Sequence, residues 1–126
     1  MYRLSGGRIG SQLSGAPVLL LTTKGRKTGK ARTTPLLYVE EGANWVVAGS
    51  NAGDDRHPTW WLNLKAHPVA TVQFGNTVNR VRAREASEEE KSLLWPRFVD
   101  MYSDYETYRQ RTTRKIPVVI LEAEAD

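Results

Sequence analysis

A chain of 126 residues with 40% apolar side chains is sized for one domain around one core, hiding roughly two thirds of its extended surface on folding. The formal charge is +4, and removing Lys24, Arg26, Lys27, Lys30 and Arg32, which share one stretch of nine residues, leaves −1; charge this concentrated points to one discrete anionic ligand rather than to a face coated along DNA or an anionic membrane. Cysteine is absent and the longest apolar run is 17–21, which excludes disulfides, thiolate metal sites, cysteine nucleophiles and a bilayer-spanning helix; with no signal-peptide pattern, a reducing cytoplasm is expected.

Residues 1–16 carry Gly6, Gly7, Gly10 and Gly15 among scattered serines and have little capacity for a regular element of their own. They read as an N-terminal arm, or as the end of something trimmed, ahead of a single domain at 17–126. P-V-L-L-L-T-T from Pro17 is a short, continuously apolar strand expected to be buried on both faces. The basic loop follows. A-R-T-T-P-L-L-Y-V-E-E from Ala31 reads as the second strand, Gly42-Ala43-Asn44 as a turn and W-V-V-A-G-S from Trp45 as the third strand. Pro35 cannot donate to a sheet ladder, so it marks an edge, a bulge or a ligand-facing break.

Asn51 to His57 is a polar loop, Pro58 suits the first turn of the short helix T-W-W-L-N-L-K-A, and His67-Pro68 stops that helix. V-A-T-V-Q-F, Gly75-Asn76 and T-V-N-R-V-R-A-R-E-A form a hairpin, with Val78 and Val81 nearer one register and the arginines turned to solvent. Ser87 to Glu90 fits a capping box. Leu94, Phe98 and Tyr102, with Trp95 and Val99 beside them, give the next helix an apolar face, and Pro96 is expected to kink or split it. I-P-V-V-I-L-E-A from Ile116 closes the domain. About six short strands joined by tight turns exclude a parallel doubly wound sheet and would leave edges exposed unless they curled towards closure. The expected fold is mainly β with packed helices: a small antiparallel barrel with helices outside.

Glycines at 25 and 29 bracket Arg26, Lys27 and Thr28, so the backbone can turn sharply and expose amides while long cations and a hydroxyl surround the same space, which makes an anion cradle. It is not a Walker loop, because Gly29 precedes Lys30-Ala31 rather than Lys-Ser or Lys-Thr. The plain alternative is a solvated hairpin tip whose charge deters edge aggregation. Trp60 and Trp61 have core packing as their plain reading. Tyr102, Tyr105 and Tyr108 recur every three residues, an arc of roughly 120° on one helix, and suit either the rim of a core or a pocket wall. His57 and His67 stand ten residues apart, each before a proline, with no third ligand in view, so no metal site is expected. The serines lack a nearby histidine and acid, and Glu85 and Glu88 to Glu90 read as helix-start charges.

Four stretches taken in order carry a resemblance: T-T-K-G-R-K-T-G-K-A-R-T-T-P-L from Thr22, G-S-N-A-G from Gly49, P-T-W-W-L-N-L-K-A-H-P from Pro58, and M-Y-S-D-Y-E-T-Y from Met101 with T-x-R-x-I-P-V after it. From about Gly15 to Leu121 the sequence resembles the deazaflavin-dependent nitroreductases, also described as quinone reductases that use reduced coenzyme F(420). The resemblance implies a split β-barrel of the FMN-binding type and hydride delivery from C5 of the reduced deazaflavin to a quinone or nitro-type acceptor. It implies that the coenzyme's phosphodiester and glutamate tail lies on Arg26, Lys27 and Thr28, with Lys24 and Lys30 as auxiliary charges. Arg32, Thr33, Thr34, Pro35, Leu36 and Leu37 match the strand that continues along the coenzyme. Ala48, Gly49, Ser50 and Asn51, and Thr59, Trp60, Trp61, Leu62 and Asn63, match further coenzyme-contacting segments, although Asn63 could instead cap or bridge locally. Tyr102, Tyr105 and Tyr108 match the wall of the acceptor pocket, Tyr105 also touching coenzyme, and Ser50 or a tyrosine hydroxyl would hydrogen-bond the quinone oxygen.

Three rivals stand beside this reading. An FMN-binding split barrel would leave several of the five cations without work, since FMN carries a single phosphate. A nucleic-acid-binding basic barrel would have no enzymatic activity, and a coenzyme carrier would bind without reducing anything. No nucleic-acid partner is expected. Relatives commonly have a longer segment ahead of the barrel that can cover the pocket or touch membrane, whereas this chain starts at Met1-Tyr2-Arg3 close to the first strand, and its residues offer no support for membrane contact.

Overall fold

The computed structural model describes residues 12–13 and 16–124. Among them, eight strands form one antiparallel sheet: β1 (Gln12–Leu13), β2 (Ala16–Lys24), β3 (Ala31–Leu37), β4 (Val39–Glu41), β5 (Asn44–Ala48), β6 (Val69–Phe74), β7 (Thr77–Glu85) and β8 (Val118–Ala123). Three helices accompany it, α1 (Thr59–Ala66), α2 (Glu88–Met101) and α3 (Asp104–Arg111). The hydrogen-bonded order runs β2-β6-β7-β8-β5-β4, and β3 pairs the other side of β2. Only Tyr38 separates β3 from β4. One bent strand therefore pairs β2 with its first half, Leu36 opposite Leu19, and β5 with its second, Val39 opposite Val46. The bend joins the two ends of the sheet, and the result is a split barrel.

This bend accounts for one of the two strands beyond the expected six, because the continuous stretch from Ala31 to Glu41 makes two elements. The remaining one is β1, which pairs Gln12 and Leu13 with Pro17 and Ala16 inside the expected arm. Residues 1–11 and 14–15 of that arm lie outside the described residues.

Alternation along the strands fills both faces of the sheet. Leu19, Leu21, Trp45, Val47, Val72, Val81, Val119 and Leu121 meet Trp60, Trp61 and Leu64 of α1 on one face. Val18, Leu37, Val39, Val46, Ala48, Val118 and Ile120 meet Leu94 and Phe98 of α2 and Tyr105 of α3 on the other. Each fully buried Val, Leu, Ile or Phe among them stabilises the fold by about 1.5–3 kcal/mol relative to exposure, and burial on both sides is why β2, β5 and β8 read as unbroken apolar runs. In β7 the expected shared register of Val78 and Val81 is corrected: Val78 is 60% exposed while Val81 is fully buried, as two positions of opposite parity on a pleated strand must be. Arg80, Arg82 and Arg84 do face solvent, paired with Glu124, Glu124 and Glu90 plus Glu122 respectively.

The capping box is present: Ser87 Oγ accepts from Glu90 N at 3.1 Å, and Glu90 Oε1 accepts from Ser87 N at 2.9 Å. Helix α2 runs through Pro96 without splitting, which removes the split from the two outcomes expected there. Pro96 and Ser92, whose carbonyl loses its helical donor, are both exposed, so water can satisfy that carbonyl. The break comes instead at Tyr102, where the backbone turns extended after its N–H bonds Phe98 O at 2.9 Å.

Phe98 is fully buried, with its ring 5.3 Å from that of Tyr105 and 6.2 Å from that of Trp95. Phe98→Ala is expected to lower unfolding free energy by about 3–5 kcal/mol, seen as a lower urea midpoint at unchanged denaturant slope.

Candidate functional site

The hairpin of β2 and β3 ends in the basic turn. Gly25 N donates to Lys30 O and Gly29 N to Gly25 O, both at 2.8 Å, and Gly29 takes φ 73°, a left-handed conformation that glycine adopts without steric cost. Asn63 of α1, only 1% exposed, anchors this turn. Its Oδ1 accepts from Arg26 N at 3.0 Å and its Nδ2 donates to Thr23 Oγ1 at 3.1 Å. The side chain thus ties α1 to a turn remote in sequence, with both polar groups engaged inside the protein.

Lys24, Arg26, Lys27, Lys30 and Arg32 are all exposed. Among the described residues none of them has a carboxylate partner, whereas Arg56, Arg80, Arg82, Arg84, Arg97 and Arg109 all do. The turn is a concentrated, uncompensated positive charge.

Beside it opens a cleft of about 1030 Å³. Thr34, Pro35, Leu36 and Leu37 of β3 form one wall, Ala48, Ser50 and Asn51 after β5 another, Thr59, Trp60 and Leu62 of α1 the floor, and Tyr102, Tyr105 and Tyr108 the far side. Pro35 lies in a strand that pairs only β2 among the described residues, so the edge reading holds, an edge strand being where a sheet tolerates proline. A second hollow of about 390 Å³, lined by Arg32, Thr33 and Asn63, shares Thr34, Thr59 and Trp60 with the cleft. Cleft and hollow make one trench leading from the tyrosines towards the basic turn.

Five sequence candidates line neither compartment: Arg26, Lys27 and Thr28 of the basic turn, and Trp61 and Gly49. Trp61 is 6% exposed and belongs to the core packed under α1, with Lys65 Nζ 5.9 Å from its ring centroid. Gly49 turns its N–H to Pro117 O at 2.8 Å. Ala52, Asp55, Arg56, His57 and Pro58 also line the cleft and were not foreseen; the polarity of 51–57 signalled a loop but not which way it faced.

Ser50 is 7% exposed and opens a turn in which Asn51, Ala52 and Gly53 take φ 46°, 54° and 81°. The left-handed region costs a residue bearing a Cβ on the order of 1–2 kcal/mol, so Asn51 and Ala52 need outside support. Arg114 supplies much of it. Its Nη2 donates to Ser50 O at 2.8 Å, its Nε to Asp54 O at 2.9 Å, and its Nη1 lies 3.2 Å from His57 Nδ1. Arg111 Nη1 reaches Ala52 O at 3.3 Å and Thr112 Oγ1 donates to Asp55 Oδ1 at 2.8 Å. At Gly53 a Cβ would stand 2.9 Å from Tyr108 O, so α3 packs hard against the turn.

The tyrosines are not one helical stripe. Tyr102 caps α2 and only Tyr105 and Tyr108 lie on α3, yet the helix junction still brings the three together. The Tyr105 ring sits 5.9 Å from each neighbour, at 83° to Tyr102 and 82° to Tyr108, the edge-to-face geometry aromatic rings favour. Tyr105 is 5% exposed, and burial raises its phenol well above the usual range. Hydrogen bonding to Asp104 and Tyr108 pushes Tyr102 up to about 12. Both phenols therefore stay protonated donors at neutral pH.

A split antiparallel barrel with a trench between a cationic turn and a wall of phenols is the framework of a coenzyme-binding oxidoreductase. The chain belongs to the F420H(2)-dependent quinone reductase family, whose model matches residues 1–123. It is 38% identical over 125 residues to the F420H(2)-dependent quinone reductase Rv1261c of Mycobacterium tuberculosis, covering 96% of this chain and 84% of that one. A solved F420-H2 dependent reductase, FDR-A, superposes with a TM-score of 0.77 at 42% identity, covering 84% of this chain and 94% of that chain. The heme storage protein HutZ from Vibrio cholerae, 12% identical with a TM-score of 0.64 over 86% of this chain and 82% of its own, shares the fold alone.

His57 offers a test of the Arg114 clamp. Burial, then the charges of Arg114 and Lys65, hold its imidazole below the ordinary 6.5 against the opposing pull of Glu85. The unfolded chain thus binds the proton more readily. Stability is expected to fall as pH drops below about 6.5 and to level off below the folded-state pKa. Urea midpoints from pH 8 to 5 should show this slope, and His57→Asn should flatten it.

Proposed function

We propose that this chain transfers a hydride from reduced coenzyme F(420) to a quinone, with the coenzyme's anionic tail on the Arg26–Thr28 turn and its ring system in the cleft. The observation that carries this reading is the trench itself: a hollow reaching Arg32, beside a turn whose five cations have no carboxylate partners among the described residues, at one end, and a pocket of small residues and phenols at the other. The reduced deazaflavin supplies the hydride. The residues present fit such a group.

Arg26 and Arg32 can grip phosphate or carboxylate bidentately, while Lys24, Lys27 and Lys30 act as point charges. The Thr28 hydroxyl adds a short-range donor at the same turn. Thr33 to Leu37 run alongside the coenzyme, and Ala48 to Asn51, with little side-chain bulk, let a flat ring approach the backbone. Thr59 and Trp60 border both compartments, Leu62 completes the floor, Trp61 supports it from the core, and Asn63 fixes the turn relative to it. Tyr102, Tyr105 and Tyr108 wall the acceptor, with Tyr105 reaching coenzyme as well. As charge develops on the quinone oxygen, Ser50 or a phenol donates a hydrogen bond to it and solvent delivers the proton that completes the quinol. Nitro-type acceptors are compatible with the same geometry. The enzyme works in the cytoplasm on this reading, in keeping with a chain free of cysteine.

The tail site is tested by Arg26→Glu combined with Lys27→Glu. Loss of charge-assisted contacts should raise the Kd for reduced coenzyme by about tenfold to a hundredfold, with wild-type affinity falling as salt is added. Equal affinity in the double variant would remove the basic turn from the binding site.

The chemical step is tested separately, with menadione as acceptor. Ser50→Ala and Tyr105→Phe should each lower turnover by roughly tenfold or more while coenzyme affinity holds within about twofold. Unchanged turnover in both would end their assigned role.

A further inference from the structure

The T-x-R-x-I-P-V stretch holds a residue to which the functional reading gives no task. Arg114 lies half-buried in the segment that leads from α3 into β8. Its hydrogen-bond partners are the carbonyls of Ser50 and Asp54 and the ring of His57. All three are neutral, and all belong to one loop some sixty residues earlier. A surface arginine more often faces a carboxylate; one that turns its fork onto two main-chain carbonyls fixes the course of a backbone.

That backbone is the left-handed stretch Asn51-Ala52-Gly53, which local preference alone disfavours. The same segment holds it elsewhere as well, through Pro117 O to Gly49 N at 2.8 Å and Thr112 Oγ1 to Asp55. Ser50 and Asn51 line the cleft, so the course of this turn decides where the Ser50 hydroxyl stands. We infer that Arg114 is a positioning residue, whose guanidinium holds the Ser50–Gly53 turn in its cleft-lining form and so aligns Ser50 with the acceptor. The second half of this inference rests on the function proposed above; the first does not.

The test compares wild type, Arg114→Gln and Arg114→Lys by amide hydrogen exchange and by steady-state kinetics with reduced coenzyme F(420) and menadione. Lysine keeps the charge but cannot serve three acceptors with one planar fork, so both variants should behave alike. Amides of Gly53 and Asp54, which bond Ser50 O and Asn51 O within the turn, should exchange at least about tenfold faster. Those of Gly25 and Gly29 in the basic turn should be unchanged. Turnover should drop at least about tenfold while the KM for coenzyme stays within about threefold, since displacing a reacting group by even a fraction of an ångström is costly. Arg84→Gln, which breaks the surface pairs to Glu90 and Glu122, serves as a control for lost stability and should turn over normally. The inference is overturned by wild-type exchange at Gly53 and Asp54, by a loosened turn with undiminished turnover, or by full activity in Arg114→Lys. If wild-type protein binds no coenzyme, the proposed function falls and the exchange rates alone decide whether Arg114 holds the turn. The lysine variant keeps the test open if the glutamine variant fails to fold.

Discussion

The bend at Tyr38 is the constraint from which the site follows. A single stretch of chain pairs β2 over Ala31–Leu37 and β5 over Val39–Glu41, and it cannot do both without changing direction. Where it turns, the sheet splits and β3 is left with one side unpaired among the described residues. In most sheets such an edge invites association. Here α1, the Ser50 turn and α3 are arranged around it, and the space between edge and helices is the cleft. Closing the barrel and opening the pocket are consequences of one backbone event.

Two polar contacts then fix the movable parts against this frame. Asn63 binds the basic turn to α1, and Arg114 binds the Ser50 turn to the approach of β8. Both use side chains to satisfy main-chain groups of loops remote in sequence. Lost hydrogen bonds at buried carbonyls and amides are costly, so each contact holds its loop in one position. The pocket thus joins a cationic arm and a strained turn, each fixed independently.

Much of this was legible in the sequence, for physical reasons. Two-residue periodicity and apolar runs located the strands of the sheet, because burial on one or both faces leaves a direct pattern. The capping box at Ser87 was readable because the motif is local. Val78 was misjudged because a pattern of alternation was not carried strictly along β7, and the choice at Pro96 between a split and a continuous helix was not legible because it depends on whether water can reach the Ser92 carbonyl. The bend at Tyr38 left no local signal, since nothing in L-L-Y-V-E says where the partner strand changes. The basic turn and the tyrosines declared themselves by type and spacing. Asn63 and Arg114 could be named within motifs, but their tasks depend on partners 37 and 64 residues away, which no spacing reveals.

On the function proposed above, the basic turn, whose cations have no carboxylate partner among the described residues, also acts as a counter of charge. Five cations within nine residues hold a lone phosphate weakly and a chain of linked anions far better, because each further anion binds at the high effective concentration set by those already seated. The cell's abundant monovalent and divalent anions would therefore compete poorly with the polyglutamate tail proposed to lie there. On that reading, selection for the coenzyme begins with its valence, before its ring enters the cleft.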